Sequence, residues 1–298
     1  MKAVLLHEYG GVEHLRYETV PDPVPGPGEV VVRLASTSVN PIDYKLRSGS
    51  LKERMPLKLP EILGRDLAGK VVQVGEGVSG FERGDFVMGL VNRTYAELVA
   101  AKADALTQIP QGLDACTAGV LPLVLQTGAQ LVEEGVKPIA GDVILVTGAL
   151  GSVGRTAVYV AMQTGAIVIA GVRQKQLAAA QSLGAEMVVA IDQDELPDMP
   201  DVDAIADTVG GDTIRRLLAK LKPSGRLASV VGKPETARKV EVRQVWSHPD
   251  PPRLHQLAET VRDGGFEIPI ARRLRLAEIH EAHLLAESGA EGKIALTP

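Results

Sequence analysis

Residues 143–154 read Val143-Ile144-Leu145-Val146-Thr147-Gly148-Ala149-Leu150-Gly151-Ser152-Val153-Gly154. A short apolar, β-branched run enters a glycine turn, and residues 155–164 (RTAVYVAMQT) continue with a helical pattern. A strand without polar alternation is buried on both faces, as in a parallel sheet flanked by helices. Strand, glycine turn and helix in this order make a cradle for a dinucleotide pyrophosphate. It needs a tight turn, a backbone free of Cβ beside the phosphates, and a helix packed closely on its strand. Gly151 suits the second need and Gly154 the third. Ala149 stands where G-x-G-x-x-G has its first glycine, with Gly148 just before it. Gly148, Gly151, Ser152, Val153 and Gly154 are therefore the candidate phosphate-binding residues. The alternative, a glycine-rich turn that binds nothing, is weighed down by a second apolar strand, Ala166 to Val172, which completes a βαβ unit.

The pattern continues outward from this unit. Residues 174–183 read as helix and stop at Gly184, a natural helix cap. Val188 to Ile191, Ala204 to Ala206 and Leu227 to Val231 are further short apolar runs. The reading is a doubly wound α/β domain. In such a sheet the carboxyl ends of the strands line the ligand crevice, which points to Val209, Gly210, Val231 and Gly232. The end of the second strand selects the cofactor. An NAD site wants an acid there for the ribose 2′-hydroxyl, but the chain has Gly171-Val172-Arg173-Gln174-Lys175. Arg173 and Lys175 suit a 2′-phosphate, favouring NADPH; the alternative is a pair of solvated cations at a helix start. Between residues 186 and 212 stand nine acidic residues and no Lys or Arg, read as a solvated surface.

The first hundred residues have a different texture. Glu29 to Ala35, residues 70–74 and residues 86–91 are short strand-like runs separated by Gly/Pro turns, as in an antiparallel barrel or sandwich. Residues 114–135 read as helix, kinked or interrupted at Pro122. From about Gly265 strand and helix return. Composition narrows the function. The 298 residues carry 32 Lys+Arg against 37 Asp+Glu, a net charge of −5 that argues against general nucleic-acid binding. Nine aromatics are few for base-stacking platforms. The single cysteine, Cys116, cannot form an internal disulfide or supply a cysteine zinc cluster. No apolar stretch approaches the length of a membrane span and the start lacks a signal peptide, so a cytoplasmic location is expected, with no membrane partner.

Asn40-Pro41-Ile42-Asp43, Gly64-Arg65-Asp66-Leu67-Ala68-Gly69, Val74-Gly75-Glu76-Gly77-Val78, Gly84-Asp85, the glycine turn, Leu221 to Arg226 and Gly292-Lys293-Ile294 occur in one order. In this the chain resembles the medium-chain dehydrogenase/reductases, in their zinc-independent quinone oxidoreductase (zeta-crystallin-like) branch, over nearly its whole length. The resemblance implies a GroES-like β-rich catalytic domain, residues 1–118 and 266–298, and a Rossmann NADP-binding domain, residues 119–265. It implies hydride transfer from NADPH to a quinone or α,β-unsaturated carbonyl, and a homodimer or homotetramer.

The resemblance also assigns residues. Where zinc-dependent relatives keep a cysteine this chain has Asn40, and their zinc-binding histidine is Arg65 here. A guanidinium cannot ligate a metal at neutral pH, so no zinc is expected. With no Lewis acid the acceptor must already be electrophilic, and its developing oxyanion needs hydrogen-bond donors. Asn40 is the side-chain candidate. Tyr44, in the same loop, is a candidate proton donor or a packed tyrosine. Thr127 matches a threonine near the nicotinamide. Lys293 matches the family's Gly-Lys facing the cleft and is counted with the cofactor-binding residues, or is a plain strand-end lysine. His280 and His283, spaced i, i+3 without a carboxylate or cysteine partner, read as structural. One departure touches the cofactor: a tyrosine that often stacks beside the 2′-phosphate is missing, and Asp192 stands there. The alternative function is an NADPH-binding sensor or structural protein with little turnover.

Overall fold

The computed structural model describes residues 1–233, 236 and 240–298. The chain divides into two compact units, Met1–Leu123 with Pro249–Pro298, and Val124–His248.

The first unit opens with β1 (Lys2–Leu6), β2 (Leu15–Thr19) and β3 (Glu29–Val39), followed by α1 (Pro41–Ser48). Then come β4 (Glu61–Ile62), β5 (Asp66–Val74), β6 (Phe86–Leu90), β7 (Leu98–Lys102), β8 (Leu106–Gln108) and a short α2 (Ala115–Ala118). β3 is the spine: it pairs antiparallel with β5 and β7. Gly69 of β5 permits the closest approach, since a Cβ there would lie 2.1 Å from the Arg33 carbonyl oxygen. Alternation along these strands buries Val30, Val32, Leu34, Leu67, Val71 and Val87 in one core.

Pro122 begins a helix rather than bending one. Its missing N–H costs nothing at the first helical position. Residues 114–135 are thus interrupted: α2 ends before α3 (Pro122–Gln130), which runs on into an over-wide turn, Leu131–Val136.

The second unit carries β9 (Val143–Thr147), α4 (Ser152–Gln163), β10 (Ile167–Val172), α5 (Leu177–Ala180) and β11 (Met187–Ala190). It continues with β12 (Val202–Asp207), α6 (Gly211–Leu217), β13 (Leu221–Ser229) and β14 (Glu241–Gln244). The six strands form one sheet in the order β11-β10-β9-β12-β13-β14. Every pairing is parallel. The order turns back at β9, so the crevice falls at the carboxyl ends of β9 and β12. Residues 174–183 are not one helix: α5 is flanked by tight 3₁₀ turns at Gln174–Gln176 and Gln181–Leu183, and Gly184 closes the segment at φ +71°.

The tail is α7 (Pro251–Arg262), β15 (Ile270–Arg275), α8 (Ile279–Glu287) and β16 (Lys293–Thr297). β16 pairs antiparallel with β3, placing Ile294 opposite Val39, so Lys293 comes to the end of the spine strand beside Asn40. The return to the first unit begins at Pro249, earlier than the sequence suggests: α7 lies against β8, with the His255 ring 3.0 Å from the Gln108 carbonyl. Among the described residues no helix is long and apolar enough to cross a membrane.

Candidate active site

The glycine turn is built as its sequence requires. Gly148 has φ +63°, and a Cβ there would lie 2.5 Å from the Thr208 hydroxyl. A Cβ on Gly154 would lie 2.2 Å from the Gly148 carbonyl oxygen, so α4 packs on the turn without room for a side chain. Gly151 differs. It has an ordinary extended backbone, and among the described residues only one atom lies within 4 Å of its Cβ position, the Gly148 oxygen at 3.1 Å. Its missing side chain therefore leaves space beside the start of α4. No side chain caps that helix and no acid stands in its first turn. Ser152 and Val153 thus present backbone N–H groups at the positive end of a three-turn helix, a site suited to phosphate. In α3, Gly128 packs against Thr156 of α4, and the Thr127 hydroxyl beside it is buried without a hydrogen-bond partner among the described residues. A buried polar atom left unsatisfied by the chain fits a ligand contact.

The strand ends carry a second device that sequence reading missed. Asp207, the last residue of β12, is fully buried. Its Oδ1 accepts from the Thr147 hydroxyl (2.8 Å) and from the backbone N–H groups of Val209 and Gly210 (3.0 Å each). Its Oδ2 accepts from the Ser229 hydroxyl at 2.7 Å, and Ser229 in turn accepts from Val231 N–H at 3.2 Å. One carboxylate thus fixes the ends of β9, β12 and β13. It holds Val209 and Val231, 43% and 40% exposed, at the rim of the crevice. Gly210 approaches Val231 closely, while among the described residues nothing lies within 4 Å of a Cβ on Gly232.

At the end of β10, Arg173 and Lys175 are exposed. No hydrogen bond from the Arg173 guanidinium to a described residue is formed. Asp192 reaches the same turn, where its Oδ1 accepts from Gln174 N–H at 2.8 Å. Its carboxyl is held below the usual range by the Gln193 side chain and the Gln174 N–H, with the Arg173 charge adding to them.

In the first unit the structure gathers a buried polar cluster from β3, α1, β5 and β16. Asn40 and Asp66 are fully buried, and Lys293 is 6% exposed. The Lys293 ammonium donates to Asn40 Oδ1 and lies 3.4 Å from Asp66 Oδ2. The Asn40 amide donates to Asp66 Oδ2 at 2.8 Å, and the Ser38 hydroxyl donates to the same oxygen. Asp66 Oδ1 accepts from Leu123 N–H at 2.7 Å. Burial pushes the Lys293 pKa down, while Asp66 and Asp43 pull it back up.

Beneath Asn40, Asp43 closes the start of α1. Its Oδ2 accepts from Asn40 N–H (2.8 Å) and from the Tyr95 hydroxyl (3.0 Å). Burial raises its pKa to about 6; Asn40 N–H and Tyr95 hold it back, Asp66 pushes it further up, and Arg65 opposes that. The Tyr95 ring meets His283 edge-on at 5.9 Å, and the His283 ring lies 3.2 Å from buried Arg47, which is paired with Glu287 at 2.7 Å. His280 instead bonds the Leu15 carbonyl at 2.7 Å, so the two histidines serve different contacts.

These positions bear on the roles expected of Asn40, Tyr44 and Lys293. Both ends of the Asn40 amide are occupied, and the side chain is fully buried. Asn40 orients Lys293, and Lys293 is the group with a hydrogen to spare. Tyr44 is half-buried; burial, then Glu287 and Asp43, raise its hydroxyl pKa and weaken it as a proton donor. Asp66 and Tyr95 carry no local signal of their importance beyond Asp66's place in Gly64-Arg65-Asp66.

Two family signatures match the chain in order: the Alcohol dehydrogenase GroES-like domain over residues 26–111 and the Zinc-binding dehydrogenase over residues 183–296. The chain belongs to the medium-chain dehydrogenase/reductases, in their quinone oxidoreductase branch. A Chloroplast envelope quinone oxidoreductase homolog from Arabidopsis thaliana is 28% identical, over 100% of this chain and 98% of that protein. An NADPH-dependent alkenal/one oxidoreductase from the same plant is 29% identical, over 78% of this chain and 63% of that protein. The solved quinone oxidoreductase of Coxiella burnetii superposes with a TM-score of 0.88 at 29% identity, covering 100% of this chain and 99% of that one. In this quinone oxidoreductase family member, no three His, Cys, Asp or Glu side chains among the described residues are grouped to hold a metal ion.

Proposed function

We propose that this oxidoreductase reduces a quinone or an α,β-unsaturated carbonyl with NADPH and without zinc. The observation that carries the reading is the Lys293–Asn40–Asp66 cluster: a buried ammonium, oriented from two sides, with one N–H left to donate. Arg65, beside it in sequence, is a cation and suits no metal.

The glycine turn and the uncapped start of α4 would hold the pyrophosphate, with Arg173 and Lys175 at the 2′-phosphate. Thr127, Val209, Gly210, Val231 and Gly232 would surround the nicotinamide side. NADPH, when bound, supplies the hydride. The chain's part is electrostatic. As an enone takes up hydride at its β-carbon, or a quinone within its conjugated ring system, negative charge grows on the carbonyl oxygen. Lys293 donates a hydrogen bond to that oxygen, and its burial-lowered pKa makes it a willing proton donor. Asp66 and Asn40 keep the ammonium in place and charged. Hydride and proton together give the quinol or the saturated carbonyl. Following NADPH absorbance at 340 nm with a panel of quinones and enals tests the reading. Acceptor-dependent oxidation is expected, and its absence across the panel would overturn it.

A further inference from the structure

Next to the cluster lies a cavity of about 640 Å³ within the first unit, lined by Asp43, Leu46, Met55, Leu57, Ile62 and Arg65 among others. Its walls mix apolar side chains with charged ones, Glu29, Glu61 and Lys102 among them, and two polar groups in them have no partner among the described residues. Asp43 Oδ1 is buried with no hydrogen-bond partner among the described residues, and so is Arg65 Nε. The Arg65 guanidinium makes no hydrogen bond or ion pair to any described residue. The contrast is Arg93, which also lines the cavity and is held by Glu61 at 2.8 and 3.1 Å. A guanidinium with a desolvated N–H and no acceptor is costly to keep, unless something from outside supplies the acceptor. Its planar fork matches a carboxylate in two-point contact.

Asp43 ties this cavity to the reacting end. Its Oδ2 holds the Asn40 backbone, and Asp43 is also one of the residues that line the cavity. An acceptor seated in the cavity with an anion on Arg65 would lie beside Asp43, one hydrogen bond from Asn40, the residue that holds Lys293. Two donors already share the Asp43 charge, so it opposes an incoming anion weakly.

We propose that Arg65 is a specificity residue that receives a carboxylate on the acceptor, so that the preferred substrates are enones or quinones bearing an acidic group. The proposal rests on the reductase reading of the neighbouring cluster.

The test compares trans-4-oxo-2-pentenoate with its methyl ester, the same enone with and without the anion. Wild-type enzyme should show kcat/KM at least about tenfold higher for the acid, the worth of one charge-assisted contact. In Arg65→Met the acid-to-ester ratio should fall by about that factor, through the KM for the acid, and Arg65→Lys should restore part of it. An unchanged ratio in Arg65→Met, or a wild-type preference for the ester, overturns the proposal. If the wild type reduces neither compound and no quinone either, the reductase reading falls first and this inference with it.

Discussion

Gly151 and Gly154 stand three residues apart in one turn, yet an added methyl should do different things at each. At Gly154 the new Cβ would lie 2.2 Å from the Gly148 carbonyl oxygen and 2.8 Å from the Ala149 Cα. Both are backbone atoms in a turn held by the Gly148–Gly151 hydrogen bond (2.8 Å), so neither can step aside. Overpacking typically costs about 1–3 kcal/mol, and immovable neighbours put this case at about 3 kcal/mol. That corresponds to a fall in thermal midpoint of roughly 6–12 °C. At Gly151 the methyl meets one atom at 3.1 Å with a compatible backbone, so Gly151→Ala should stay within about 1 kcal/mol of wild type. The same methyl would occupy the space left for pyrophosphate and should weaken NADPH binding about tenfold or more. Thermal unfolding and NADPH titration by fluorescence, run on both variants, separate the effects. A Gly154→Ala protein as stable as wild type would refute the packing argument. A Gly151→Ala protein that binds NADPH normally would refute the cradle.

Other outcomes follow from the charges. Arg173→Ala should weaken NADPH binding much more than NADH binding, whereas Asp192→Asn should strengthen NADPH relative to NADH by removing an anion from the same turn; equal changes for both cofactors would remove these residues from 2′-phosphate reading. Asp43 and His283 should tilt stability against pH in opposite directions. Asp43, with its folded pKa raised to about 6, keeps its proton longer folded than unfolded, so its contribution declines as pH rises from about 4 to 6. His283, lowered to about 3 chiefly by burial, with Arg47 and His280 adding, contributes stability above about 6.5 that is lost as pH falls toward 3. Relative to wild type in urea unfolding between pH 4 and 6, Asp43→Asn should therefore tilt stability upward with pH, and His283→Gln downward, each by about 1.4 kcal/mol per pH unit. Parallel curves for both variants would contradict the burial argument.

The readable parts of this sequence were those whose signal is local. An apolar strand, a glycine turn and a helix announce themselves within twelve residues, and Gly184 ends its segment by a property of its own backbone. The parallel sheet followed from strands without alternation. What escaped depends on distant partners. Asp207 is one acid among nine in its stretch; only the fold brings Thr147, 60 residues away, and Ser229 to it. Tyr95 and His283 owe their roles to contacts made through the tail. Asn40 and Lys293, 253 residues apart, could be named as candidates but not as a pair, so which of them has a free hydrogen was invisible. Likewise α7 has an ordinary amphipathic pattern, which does not say that it lies on β8.

The most direct test of the account is Lys293→Met, measured for both NADPH binding and quinone or enal turnover. The methionine fills the same space without the ammonium. NADPH affinity close to wild type with turnover down about a hundredfold or more, the scale of losing one oxyanion donor, is the predicted result. Turnover within about threefold of wild type, at unchanged cofactor affinity, would contradict the claim that this lysine receives the charge.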